Sequence, residues 1–144
     1  MVNEDTIELL KECNAGIKMG ISSIDDVLDS VTNDGLRKKL EKCKSEHEKL
    51  ESETKNILND YDDTGEKPNT MAKTMSWIKT NVKMTIKPDD ETISDLMTDG
   101  CNMGVKSLNR YLNQCEAAEE KVKDITKKLI NLEEKLAIDI REYL

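Results

Sequence analysis

One histidine, four cysteines and a spaced set of glycines are the residues through which this chain could do chemistry. His47 is the only imidazole, and an ordinary pKa of about 6.5 would let it bind a metal, move a proton or change charge near neutrality. Cys43 stands four residues before it, which is one helical turn and therefore the same face of a helix. No third group that would orient the pair for nucleophilic catalysis is identifiable. The expectation is a core thiol beside a half-buried histidine that makes one hydrogen bond, with Glu133 as its candidate partner across the molecule. As metal ligands, His47, Glu133 and Glu46 are weak candidates, and they are too few for a two-metal centre. No catalytic residue and no cofactor are expected. Cys13, Cys43, Cys101 and Cys115 form no C-x-x-C pair, so neither a zinc knuckle nor a disulfide framework is suggested; reduced core thiols are.

Amphipathic helices must position these residues. Ile7, Leu10, Asn14, Ile17, Ile21, Ile24, Leu28 and Val31 alternate spacings of three and four, which places them on one helix face with Asn14 as the polar member. Leu36, Leu40, Cys43, His47, Leu50, Thr54, Ile57 and Tyr61 form a second such seam. A third runs through Ile93, Met97, Cys101, Val105, Leu108 and Leu112, and a fourth through Val122, Ile125, Leu129, Leu132, Leu136, Ile140 and Tyr143. Helices are predicted over about 4–31, 34–61, 89–114 and 117–143, with a short one over 70–84. The connection after Val31 is short and rich in turn residues, so the first two helices fold back as a hairpin. Residues 1–144 read as one all-α domain.

An internal repeat is the most specific signal. A shift of 84 residues aligns Gly16-Ile17-Lys18-Met19-Gly20 with Gly100-Cys101-Asn102-Met103-Gly104, and it also brings Ser23 onto Ser107 and Leu28 onto Leu112. The first helix therefore reads as a duplicate of the third. A glycine inside a helix costs about 1 kcal/mol relative to alanine, so Gly16, Gly20, Gly100 and Gly104 need a packing reason. Close approach of the two duplicated helices is the simplest one, and a small central cavity is the alternative.

Two duplicated hairpins separated by a long crossover resemble the ferritin-like four-helix bundles, most closely the bacterial ferritin-like domains of unknown function. The resemblance spans the whole chain and rests on the layout, the repeat and the placement of His47. It implies an up-down bundle of two hairpins joined by a crossover that contains a short helix. In that family, two helices each supply a Glu and the other two each supply a Glu-x-x-His to a di-metal centre. Here Lys44 stands three residues before His47, no second histidine exists, and Asn14 and Thr98 stand where inward acids would help. The implied metal site is therefore degenerate.

Composition limits the remaining function classes. The 144 residues carry 30 acids against 22 lysines and arginines, a formal charge of -8, which disfavours general binding to nucleic acid. No segment is long and apolar enough for a membrane span and no signal peptide is recognisable, so a cytoplasmic location is expected. The crossover between Lys67 and Lys87 holds lysines and no acid, and Lys73, Trp77, Lys79 and Lys83 are its candidates for partner binding. The expected partner is an unidentified protein, with a second copy of the chain as one candidate. The sequence is thus read as a non-catalytic binding or structural module. The alternative is a metal-binding redox or storage protein with an atypical site around His47.

Overall fold

The computed structural model describes residues 3–61 and 88–144. Four α-helices account for nearly all of them: α1 (Glu4–Leu28), α2 (Asp34–Asp60), α3 (Asp90–Gln114) and α4 (Glu120–Asp139), followed by a 3₁₀ turn over Arg141–Tyr143. They pack as a four-helix bundle in which α1 pairs with α2 and α3 pairs with α4, while α1 also lies against α3 and α2 against α4. Among the described residues, no helix is long and apolar enough to cross a membrane. The predicted helix over 70–84 lies outside the described residues, as do Lys73, Trp77, Lys79 and Lys83.

Three helices begin at an Asx cap, whose side-chain oxygen takes an otherwise unpaired N–H of the first turn. Asn3 accepts from Thr6 N–H at 2.8 Å, Asn33 from Leu36 N–H at 3.1 Å and Asp89 from Thr92 N–H at 2.8 Å. Each hairpin turn is then held by the head of a helix from the other hairpin. At one end, Asp90 accepts from Thr32 N–H (2.9 Å), Thr32 Oγ1–H (2.7 Å) and Asn33 N–H (3.0 Å). At the other, Asn3 Nδ2–H donates to the Ala117 carbonyl (2.7 Å), Ala117 N–H donates to Asp5 Oδ2 (3.0 Å), and Glu119 N–H donates to Thr6 Oγ1 (2.9 Å). Tyr61, which ends α2, donates to Glu119 Oε2 at 2.6 Å beside the start of α4. These ties fix the directions: α1 and α4 run one way, α2 and α3 the other, and the end of α2 and the start of α3 lie at opposite ends of the bundle.

The same ties explain where helices stop short of the periodicity. The hydrophobic seam runs on to Val31, yet α1 ends at Leu28 because the Val31 carbonyl is taken by the Arg37 guanidinium and the next N–H groups by Asp90. The last helix starts at Glu120 rather than 117 because Ala117 gives both its N–H and its carbonyl to α1. It ends at Asp139 rather than 143, where Lys39 takes the Asp139 carbonyl at 2.9 Å and the chain tightens into the 3₁₀ turn.

The core is stacked along the axis. Ile24, Leu36, Leu40, Ile93, Met97, Leu136 and Ile140 form one apolar layer, and Cys13, Ile17, Leu50, Leu108, Ile125 and Leu129 form the next. Leu9, Leu10, Leu58, Cys115, Ala118 and Val122 close the far end. His47 falls between the first two layers along α2, and Glu133 falls between them along α4.

Candidate functional site

The polar centre of the bundle is built from side chains of α2, α3 and α4 against the backbone of α1. His47 on α2 is 1% exposed, and its Nε2 lies 2.8 Å from Glu133 Oε1 on α4, the hydrogen bond expected between them. Its Nδ1 lies 2.8 Å from the Cys43 carbonyl, with the Cys43 thiol at 3.5 Å. A carbonyl only accepts, so Nδ1 carries a proton, and one further proton lies between Nε2 and Oε1. Burial opposes charge on the ring, but the hydrogen bonds to Cys43 and Glu133 and the negative charge of Glu133 outweigh it and raise the imidazole from 6.5 to about 10. The pair is therefore an imidazolium–carboxylate ion pair at neutral pH.

The duplicated glycines make the room for it. A Cβ on Gly20 would lie 2.5 Å from His47 Nε2 and 2.6 Å from its Cδ2, so the ring lies directly on the α1 backbone. A Cβ on Gly104 would meet Glu133 Oε2 at 3.6 Å, an ordinary contact. The second glycine of each repeat thus faces the central side chain of its own hairpin, an imidazole in one and a carboxylate in the other. Gly16, Gly20, Gly100 and Gly104 also line a common cavity of about 40 Å³ between α1 and α3. That volume suits one or two water molecules, well short of an organic cofactor.

Cys101 completes the centre. It lines the cavity beside Glu133, and its thiol is pushed far up by burial and by the neighbouring Glu133 carboxylate. Burial also raises Cys13, to about 12. All four cysteines are free and buried, as reduced core thiols would be. Such thiols are poor nucleophiles, because the thiolate is the reactive form. The contact of Cys101 with Glu133 was not anticipated in the sequence, although its place in the repeated Gly-x-x-x-Gly segment was the available signal.

The donor set does not fit the di-metal centre that the ferritin-like resemblance implies. Lys44, in the place of the first Glu of a Glu-x-x-His, points away to pair with Asp25 at 2.6 Å. Glu46 lies on the outer α2–α4 face, within 3.8 Å of Lys49 and beside Lys39, Lys42 and Lys135, so it joins neither His47 nor Glu133. Asn14 is buried on α1, and the Thr98 hydroxyl of α3 is buried with no hydrogen-bond partner. One imidazole and one carboxylate, already bonded to each other, cannot bridge two cations. Compared with models of known protein families and with curated proteins, the chain matches none.

Proposed function

We propose that this chain is a ferritin-like four-helix bundle without a complete di-metal centre, which serves as a non-catalytic binding or structural module. The observation that carries the reading is the His47–Glu133 ion pair at 2.8 Å, which fills the polar centre with partners that satisfy each other. The direction of the helices supports the ferritin-like part: α2 and α3 run in parallel, as in bundles with one long crossover. The raised thiols and the small cavity speak for a structural centre over a reacting one.

The second reading is a metal-binding redox or storage protein with an atypical site around His47. Cys101 favours it, because its contact with Glu133 adds a thiol to the imidazole and the carboxylate. Incubation of the wild-type and His47→Ala proteins with iron, manganese and zinc under reducing conditions, followed by elemental analysis, separates the two. The structural reading expects no difference in metal content between them. Metal that binds the wild type and is lost on His47→Ala overturns it and returns the centre to metal chemistry.

A further inference from the structure

The first turns of α1 bring a second set of donor atoms together, at the opposite end of the bundle core from the first apolar layer. Asp5, Glu8 and Cys115 each offer a ligand atom within 4.8 Å of the others, the one such grouping of three among the described His, Cys, Asp and Glu residues. Asp5 and Glu8 share a helix face by their spacing of three. Cys115 caps α3 and is drawn against α1 because Ala117, two residues on, bonds to Asp5 and Asn3.

Glu12 supplies the independent observation. It lies one turn beyond Glu8 on that face and is only 4% exposed. Tyr111 hydrogen-bonds to its carboxyl group, but Oε2 is buried with no hydrogen-bond partner. Orphaned carboxylate oxygens in a protein interior require a counter-charge or a proton. The surroundings supply the opposite of a counter-charge. Burial and the charge of Glu8 raise Glu12 to about 7, and burial with Glu8, Asp5 and Glu12 raises the Cys115 thiol to about 11. Three carboxyl groups and a thiol thus crowd one end of the bundle.

We propose that Asp5, Glu8 and Cys115, with the orphaned carboxylate of Glu12 one turn away, form a binding site for one divalent transition-metal ion of the zinc or cobalt class. The thiol selects for that class over magnesium or calcium, which take oxygen donors alone. Metal–sulfur and metal–oxygen distances of about 2.0–2.3 Å set tetrahedral donors about 3.5 Å apart. On binding, the Cys115 S–H gives its proton to solvent and the sulfur takes the metal in its place, with no change of oxidation state. The ion would tie the start of α1 to the end of α3 and stabilise the fold by mass action. This site shares no residue with the His47 centre, so it stands or falls apart from the function proposed above.

The test is titration of the reduced 144-residue chain with Co²⁺, followed by Zn²⁺ competition. The expected result is one Co²⁺ per chain with a thiolate-to-cobalt charge-transfer band that Zn²⁺ bleaches. Cys115→Ser should abolish the band, Glu12→Gln should weaken binding at least tenfold with helicity intact, and His47→Ala should leave both band and affinity unchanged. Absence of the band at stoichiometric Co²⁺, Co²⁺ bound without it, or a band that persists in Cys115→Ser each overturns the proposal. A band lost in His47→Ala instead would assign the thiolate to the central site.

Discussion

Gly20 and Gly104 occupy equivalent places in the repeat, yet alanine should have opposite effects at the two. Either substitution removes the helix penalty of a glycine, a gain of about 0.5–1 kcal/mol. At Gly104 the new methyl meets Glu133 Oε2 at 3.6 Å, so nothing has to move and the gain is kept. At Gly20 it would sit 2.5 Å from His47 Nε2, on a ring that is 1% exposed and held at 2.8 Å on both nitrogens. The ring can yield only by breaking its bond to Glu133, and a broken buried pair costs about 3–5 kcal/mol. Gly20→Ala should therefore lose at least about 2 kcal/mol net, and with a urea slope of about 2 kcal/mol per molar its midpoint should fall by about 1 M. Urea denaturation followed by far-ultraviolet circular dichroism measures both variants. The control is Gly20→Ala made in a His47→Ala background, where the clash is gone and the alanine should stabilise. Equal midpoint shifts of the same sign for Gly20→Ala and Gly104→Ala would refute the assignment of the glycine spaces to His47 and Glu133.

Other expectations follow from the same contacts. The folded His47 pKa of about 10 lies above its ordinary 6.5, so its contribution to stability is fully present below about pH 6.5 and is lost as pH rises through 10. Midpoints measured from pH 6 to pH 10 should fall more steeply for the wild type than for His47→Gln, and parallel profiles would remove the ion pair from the account. Asp90→Ala removes three hydrogen bonds to the α1–α2 turn and should cost about 1–3 kcal/mol, with faster amide exchange at Thr32 and Asn33 and little change near Ala117. Each cysteine is buried, so a thiol reagent should label the native chain only as fast as it unfolds; rapid labelling of a whole equivalent in buffer would contradict the packing.

The fold was legible because its signals are periodic. Each seam names one face, and the faces of Leu36–Ile57 and Val122–Ile140 enter the core much as their spacing implies. The helix ends were less legible, since they are set by partners far along the chain. Nothing local in Glu116–Ala118 says that Asp5 and Asn3 will take the backbone of Ala117, so the seam alone places the start of α4 too early. At the site, the solitary His47 and its partner Glu133 could be read from depth along their helices. The glycines could be recognised as costly but not matched to their neighbours, because that match depends on how the helices rotate against each other. Asp5, Glu8 and Glu12 share a face in sequence, but their meeting with Cys115 depends on a turn held by long-range bonds.

The polar layer also bears on why the two hairpins dock in one register. Apolar layers above and below it are built from similar Leu, Ile and Met side chains, which pack acceptably after a shift of one helical turn. A one-turn slip of the second hairpin past the first would carry Glu133 into Leu and Ile side chains and leave the His47 Nε2–H without an acceptor. Buried ion pairs add little net stability over apolar packing, but an unpaired buried charge is expensive, so the pair acts chiefly against the wrong register. The duplicated glycine spaces supply two matching recesses, and the divergence of their occupants into an acid and a base makes the match unique. On this account, replacing His47 and Glu133 together by leucines should leave the bundle helical and near wild-type in stability. Its second hairpin should then show slower or more heterogeneous docking in refolding kinetics; a double variant that refolds in one phase at the wild-type rate would refute the register role.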